Sequence, residues 1–370
     1  MTSAGSLLLT GSTGMAGREI TRVLLTRTDV QLTLLLHDNG RALSRPRLLR
    51  EVFRLEPTPP LIRRVRLVRG DLTKAELGLP SREHADLGRT VDGIIHAAAT
   101  TRFDLALAEA RRVNVHATRH LVRFAKNCRN LTRFALLSTV FVSGRRQGRI
   151  LESERTHRAG FVNTYEQSKY EAEACLESSD LPYVIYRLST LVGDSQTGFT
   201  SHFTTPHQAL RVMHLGLASL VPGLSDYSVD LIPTDWAAVT IVNHFLNEFQ
   251  AGRVVHLVAG TARSYSLAQV IDASYDRLGE LDPAWKARHY PKPAIATQAA
   301  FQLLVRSAEQ AQDPLMIGVL GMLKYFTEQF SYPKDFDTKG LNGANAAPNI
   351  REYYGRVVAF CLKTKWGRRA

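Results

Sequence analysis

Cysteine is scarce in this chain. The three present, Cys128, Cys175 and Cys361, lie far apart and are odd in number. They form no metal-ligand spacing and no disulfide framework, which points to a reducing compartment. Long apolar runs are missing as well. The longest near the C-terminus, Leu315 to Leu323, contains two glycines and is too short to span a bilayer. The first apolar run, Leu7-Leu8-Leu9, is strand-sized and has no basic flank, so no secretory signal is read and the cytoplasm is expected. Internal repeats and low-complexity segments are absent too. Acidic residues are outnumbered, 34 Asp and Glu against 47 Lys and Arg, for a net charge of +13. The positive charges are scattered. They cluster only at Arg63-Arg64 to Arg69, Arg145-Arg146 to Arg149 and Lys363 to Arg369. No nucleic-acid partner is expected, whereas an anionic substrate or carrier stays open.

At 370 residues, 44% hydrophobic and 22% charged, the chain can bury a full core. Strand-like runs fall at Leu7 to Thr10, Leu32 to Leu36, Val65 to Val68, Gly93 to His96, Phe134 to Ser138 and Tyr183 to Tyr186. Between them, Arg18 to Thr28, Arg111 to Asn127 and Tyr165 to Glu177 carry helical spacing. Apolar strands alternating with helices predict a doubly wound α/β fold, a parallel sheet covered on both faces. After Val192 the rhythm changes, although Val229 to Pro233 and Val254 to Val258 still read as strands. The expected division is a Rossmann domain over 1–195 plus about 229–260. A smaller, mostly helical substrate lobe is interleaved with it over 196–228 and 261–370.

Three motifs carry chemistry. The first is Thr10-Gly11-Ser12-Thr13-Gly14-Met15-Ala16-Gly17, which follows a strand and opens a helix. Gly11 permits the turn, Gly14 admits a pyrophosphate, Gly17 lets helix and sheet approach, and the helix N-terminus faces the phosphates. The second is Gly70-Asp71-Leu72-Thr73, where Asp71 can accept from an adenine amino group or cap a helix. Ala97, Ala98 and Ala99, after His96, are small enough for a dinucleotide to lie against the backbone. The third is Tyr165-Glu166-Gln167-Ser168-Lys169, which sets a phenol and an ammonium one helical turn apart. A neighbouring ammonium is expected to lower the phenol's pKa. Upstream, Thr139 in Ser138-Thr139 can hydrogen-bond a carbonyl oxygen. No metal site is read.

In this order the motifs resemble extended short-chain dehydrogenase/reductases. They are most similar to fatty acyl-CoA reductases and to the thioester reductase domains of carboxylic acid reductases and of peptide or polyketide synthetases. The resemblance runs through His96-Ala97-Ala98-Ala99-Thr100-Thr101-Arg102-Phe103-Asp104 and Asn114-Val115-His116-Ala117-Thr118. It continues in Ser138-Thr139-Val140-Phe141-Val142-Ser143-Gly144, Arg187-Leu188-Ser189-Thr190 and Val229-Asp230-Leu231-Ile232-Pro233. It implies a catalytic Thr139, Tyr165 and Lys169 with Asn114 in support, and it sets Tyr165, Lys169, Leu72, Leu188 and Ser189 against the cofactor. Leu188 replaces the proline usual beside the nicotinamide. The resemblance also implies hydride reduction of an acyl thioester, on coenzyme A or an acyl carrier protein, to an aldehyde and possible onward reduction to an alcohol. Alternatives are a ketone/alcohol dehydrogenase on a sterol-like or polyketide substrate, a nucleotide-sugar epimerase or dehydratase, and a non-catalytic dinucleotide sensor.

The second strand ends Leu36-His37-Asp38-Asn39, where NADPH-using relatives carry arginine. Asp38 would hold a ribose 2′-hydroxyl and favour NADH. Arg41, Arg45, Arg47 and Arg50 would clamp a 2′-phosphate, and the resemblance tips the expectation to NADPH. Asp38→Ala and Arg41→Ala should therefore shift NADPH and NADH affinities in opposite senses. Fluorescence titration of both nucleotides checks this, and equal effects of the two substitutions would refute it.

Overall fold

The computed structural model describes residues 5–37, 44–341 and 345–367; of residues 322 and 324–327 only the backbone is described. The chain divides into two compact units of nearly equal size. One unit comprises Met1–Val142, Asn163–Leu188 and Ala237–His256. Ser143–Val162, Ser189–Trp236 and Leu257–Ala370 make the other.

A seven-stranded sheet organises the first unit. Its strands are β1 (Ser6–Thr10), β2 (Gln31–His37), β3 (Val65–Gly70), β4 (Gly93–His96), β5 (Arg133–Thr139), β6 (Tyr183–Leu188) and β7 (Arg253–Leu257). Their spatial order is β7-β6-β5-β4-β1-β2-β3, and the pairings from β3 through β6 are parallel. Leu8, Ile94, Phe134, Leu136 and Ile185 are wholly buried. A parallel sheet covered on both faces needs such continuous apolar strands. Leu121, Phe124, Ala125 and Leu176, from α2 (Ala117–Lys126) and α3 (Thr164–Glu177), pack against them. The strand order reverses between β1 and β4, so a crevice opens beyond their carboxyl ends. Register sets Thr10 beside His96 there, and Thr139 beside Leu188.

The other unit is built on helices Thr205–His214, Leu267–Leu281, Gln298–Gln310, Pro314–Thr327 and Ile350–Lys363, with four small two-stranded pairs. Its core joins Leu210, Leu267, Ile271, Leu278, Phe301 and Tyr353. In Pro314–Thr327, Val319, Leu320 and Leu323 face this core, while Leu315 and Ile317 are exposed.

The division differs from the expected one. Residues 143–162 leave the nucleotide unit because Gly148–Ile150 pairs with Lys334–Phe336 and Arg149 bridges to Asp335 and Asp337. Residues 189–195, 229–236 and 257–260 leave it too, because Val229 pairs with Tyr265, the Tyr353 hydroxyl donates to the Leu231 carbonyl, and Val192, Val229 and Leu231 join the other core. These long-range pairings have no local sequence signature. They enlarge the lobe to nearly the size of the first unit and add short strands to it, and it stays the slightly smaller and mostly helical part.

Glycine need is local. A Cβ on Gly17 would lie 2.2 Å from the Gly11 carbonyl oxygen. On Gly88, inside helix Ser81–Thr90, it would lie 3.5 Å from the Asn127 oxygen, ordinary contact. Gly17→Ala should lose about 1–3 kcal/mol through overpacking, and Gly88→Ala should gain about 0.5–1 kcal/mol of helix stability. Urea unfolding of both variants checks the opposite signs.

Candidate active site

The glycine loop folds back on the end of β4. Gly11 has φ of 71°, and a Cβ there would sit 2.4 Å from the Ala98 nitrogen. Gly14 differs: its Cβ would meet only the Gly11 oxygen, at 3.3 Å. The loop therefore leaves Gly14 open where Gly11 and Gly17 are closed in. Gly14 caps α1 (Met15–Arg27), whose first turn, with Met15 and Ala16, has no acidic side chain and no side-chain cap. A helix N-terminus in that state attracts anions. Ser12 is buried beside it, and its hydroxyl has no hydrogen-bond partner among the described residues. The orphan hydroxyl, the open Gly14 and the unblocked helix end fit a diphosphate. Thr13 is exposed.

Thr10 serves the scaffold. Its hydroxyl meets His96 Nδ1 at 2.8 Å and accepts from the Ala98 N–H at 3.4 Å. The Ala97 N–H donates to the Thr10 carbonyl, and Ala99 is exposed. Asp71 caps a turn instead of a helix: Oδ1 accepts from the Thr73 N–H and hydroxyl at 2.9 and 2.7 Å. Burial works to raise its pKa, but those bonds hold the carboxyl below its usual range. The Leu72 carbonyl meets His120 Nδ1 at 2.9 Å. His37 is exposed at the end of β2. Asp38 and Arg41 lie outside the described residues. Of the arginines expected to clamp a phosphate, Arg47 pairs with Glu51, Arg50 with Glu56, and Arg45 donates to the Ile62 and Val65 carbonyls. All three already have protein partners, so they do not form a ready clamp.

Thr139, Tyr165 and Lys169, the candidate reactive groups, lie where β5 meets α3. Asn163 caps α3, its Oδ1 accepting from the Glu166 N–H at 3.0 Å, and Thr164 donates to the Leu105 carbonyl. Tyr165, Lys169 and Glu173 then recur every four residues along one face. The Thr139 side chain lies beside the Tyr165 phenol, and the Phe103 ring leans on Tyr165 with centroids 5.5 Å apart. Burial pushes the phenol above its ordinary pKa, the neighbouring Thr139 opposes this, and the Glu166 and Glu173 carboxylates add to the rise. The expected lowering by Lys169 is thus overturned. The Lys169 ammonium donates to the Leu137 carbonyl at 2.8 Å, and burial brings its own pKa down to about 8 against the pull of Glu173.

Asn114 sits in a π-helical turn, Arg112–His116. Its amide clasps the Thr100 backbone and donates to Ser168 Oγ at 2.9 Å, so it positions α3 instead of facing a reactant. Leu188 is buried at the end of β6. Ser189 belongs to the second unit, where its hydroxyl donates to the Asp230 carbonyl at 2.7 Å.

Sequence reasoning missed a buried ion pair below Lys169. Arg187 grips Glu173, Nη2 to Oε2 at 2.8 Å, with side chains 2% and 0% exposed. Ser138 Oγ donates to the same carboxylate at 2.5 Å. The signal was present: Glu173 continues the four-residue rhythm of Tyr165 and Lys169.

Residues 9–241 match the NAD-binding family described as Male sterility protein. The chain is similar to a linear gramicidin synthase of Brevibacillus parabrevis, 28% identical over 269 residues, covering 70% of this chain and 5% of that one. It is also similar to fatty acyl-CoA reductase wat of Drosophila melanogaster, 25% identical over 266 residues, covering 62% and 52%. It thus spans about half the length of these relatives or less. In fold it resembles the terminal R domain from the myxalamid PKS-NRPS biosynthetic pathway, with TM-score 0.79 and 22% identity over 99% of this chain and 93% of that one. The R domain of a nonribosomal peptide synthetase from Mycobacterium tuberculosis has TM-score 0.65 and 17% identity over 98% and 92%.

Removing one partner of a buried pair leaves the other charge uncompensated. Arg187→Met should therefore cost about 3–5 kcal/mol, read as a lowered urea midpoint at unchanged m-value; a loss below about 1 kcal/mol would show that the pair behaves as a surface bridge.

Proposed function

The chain belongs to the Male sterility protein family, and on that premise we propose that it reduces an acyl thioester, held on coenzyme A or a carrier protein, to an aldehyde. The observation that carries the reading is the placing of the Thr139 side chain beside the Tyr165 phenol at the carboxyl edge of a dinucleotide-type sheet. The names of the relatives, a gramicidin synthase and a fatty acyl-CoA reductase, support the thioester. NADPH is the proposed form of the cofactor, with Arg41 its proposed 2′-phosphate contact.

A bound reduced nicotinamide would supply hydride to the thioester carbon. Thr139 and Tyr165 would hold the carbonyl oxygen and stabilise charge as it develops there. Tyr165 is protonated near neutrality and can act as the proton donor in the reductive direction, with the neighbouring Thr139 working against the rise that burial imposes on its pKa. Tyr165 gives its proton to the oxygen, and the resulting hemithioacetal splits into aldehyde and free thiol. Lys169, charged below about pH 8, offsets the phenolate left behind until solvent reprotonates it. The glycine loop and the first turn of α1 would hold the diphosphate.

Tyr165→Phe should lower kcat about 10²–10³-fold, the cost of one lost oxyanion donor, while nicotinamide binding persists. In the wild type, turnover should fall as pH rises through about 8, where Lys169 loses its proton. Steady-state kinetics across pH checks both. Normal turnover in the phenylalanine variant, or a flat alkaline profile, contradicts the proton-donor assignment.

A further inference from the structure

Hydrogen-bond valence fixes the direction of a buried chain behind the site. Thr118 has one hydroxyl proton, and its 2.6 Å contact with the Asn114 carbonyl must use it. At 3.1 Å from His96 Nε2, Thr118 therefore accepts, and Nε2 carries hydrogen. The His96 ring is buried, and burial together with the Lys169 ammonium drives its pKa down to about 3, so the ring is neutral. Nδ1 is then bare and accepts from the Thr10 hydroxyl at 2.8 Å. The Thr10 oxygen in turn accepts from the Ala98 N–H.

The second arm has the same certainty of sense. The Thr100 N–H donates to Asn114 Oδ1 at 2.9 Å, which sets the amide's orientation. Both Nδ2 hydrogens are then used, one on the Thr100 carbonyl at 3.1 Å and one on Ser168 Oγ at 2.9 Å. The Ser168 hydroxyl is left to donate to the Tyr165 carbonyl at 2.8 Å. Thr10, His96, Thr118, Asn114 and Ser168 are each no more than 2% exposed. Water cannot replace a lost partner here, so a break at one link is felt at the next.

We propose that His96 is a positioning residue: as its Nε2–H tautomer it joins the glycine loop, through Thr10, to the catalytic helix, through Thr118, Asn114 and Ser168. It thereby holds the Tyr165 turn in register with the loop that would carry the diphosphate. Ring reversal or the other tautomer would set two donors or two acceptors against each other at once. The tautomer stands on these hydrogen bonds and on the neutral ring that burial imposes, and is independent of the reaction; its effect on turnover rests on the reductase reading.

The test has two arms. Nitrogen-15 NMR of the full chain, with the His96 signals assigned by their absence from His96→Gln, should show a protonated Nε2 and a bare Nδ1, unchanged from about pH 5 to about pH 8. A titrating ring, or hydrogen on Nδ1, overturns the chain whether or not the protein reduces thioesters. In kinetics, Thr118→Val keeps the shape and removes the hydroxyl, whereas Thr118→Ser keeps the hydroxyl. The valine variant should lose about tenfold in kcat, the equivalent of one hydrogen bond, with the nicotinamide Kd within about threefold. The serine variant should recover most of that loss. Equal losses in the two variants would mean packing alone and overturn the positioning role.

Discussion

The buried pair of Glu173 and Arg187 is the constraint on which the site depends. Two charges taken out of water are costly unless every lone pair is met, and here the guanidinium and the Ser138 hydroxyl both reach one carboxylate. Arg187 belongs to β6, Ser138 to β5 and Glu173 to α3, so one cluster ties two strands to the helix of Tyr165 and Lys169. The same carboxylate lies one turn beyond Lys169 and counteracts the burial that lowers its pKa. Geometry and charge at the reactive groups thus come from a single buried anchor.

The electrostatics that follow suit reduction. Burial and the Glu166 and Glu173 carboxylates keep the Tyr165 phenol protonated at neutrality, the form that the proposed donor needs, while Thr139 works against the rise. Thr139 supplies a hydroxyl beside the phenol, and the glycine loop has an open face at Gly14 with an orphan hydroxyl at Ser12. The hydrogen-bond chain through His96 connects these two regions within one unit.

Much of this was legible in the sequence because it is local. The six strands, the three helices, the glycine loop and the tyrosine–lysine turn each occupy a short window in which periodicity or glycine spacing declares the structure. What was not legible is set by long-range contact. The transfer of residues 143–162 to the second unit depends on a strand pair whose partners lie half the chain apart. The direction of the Tyr165 shift depends on where the Lys169 ammonium points, and four-residue spacing does not specify that. Asn114 could be picked out by resemblance, but its clasp on Thr100 arises from a π-helical turn that no apolar pattern announces. The place of His96 is not legible locally because its partners, Thr10 and Thr118, lie 86 and 22 residues away.

The most direct test of the central claim follows nicotinamide absorbance and free thiol together. The protein is mixed with NADPH and a long-chain acyl-CoA, and in parallel with a matched ketone. The account predicts oxidation with the thioester and thiol release in step with it. Oxidation with the ketone alone, and no thiol from the thioester, would contradict it.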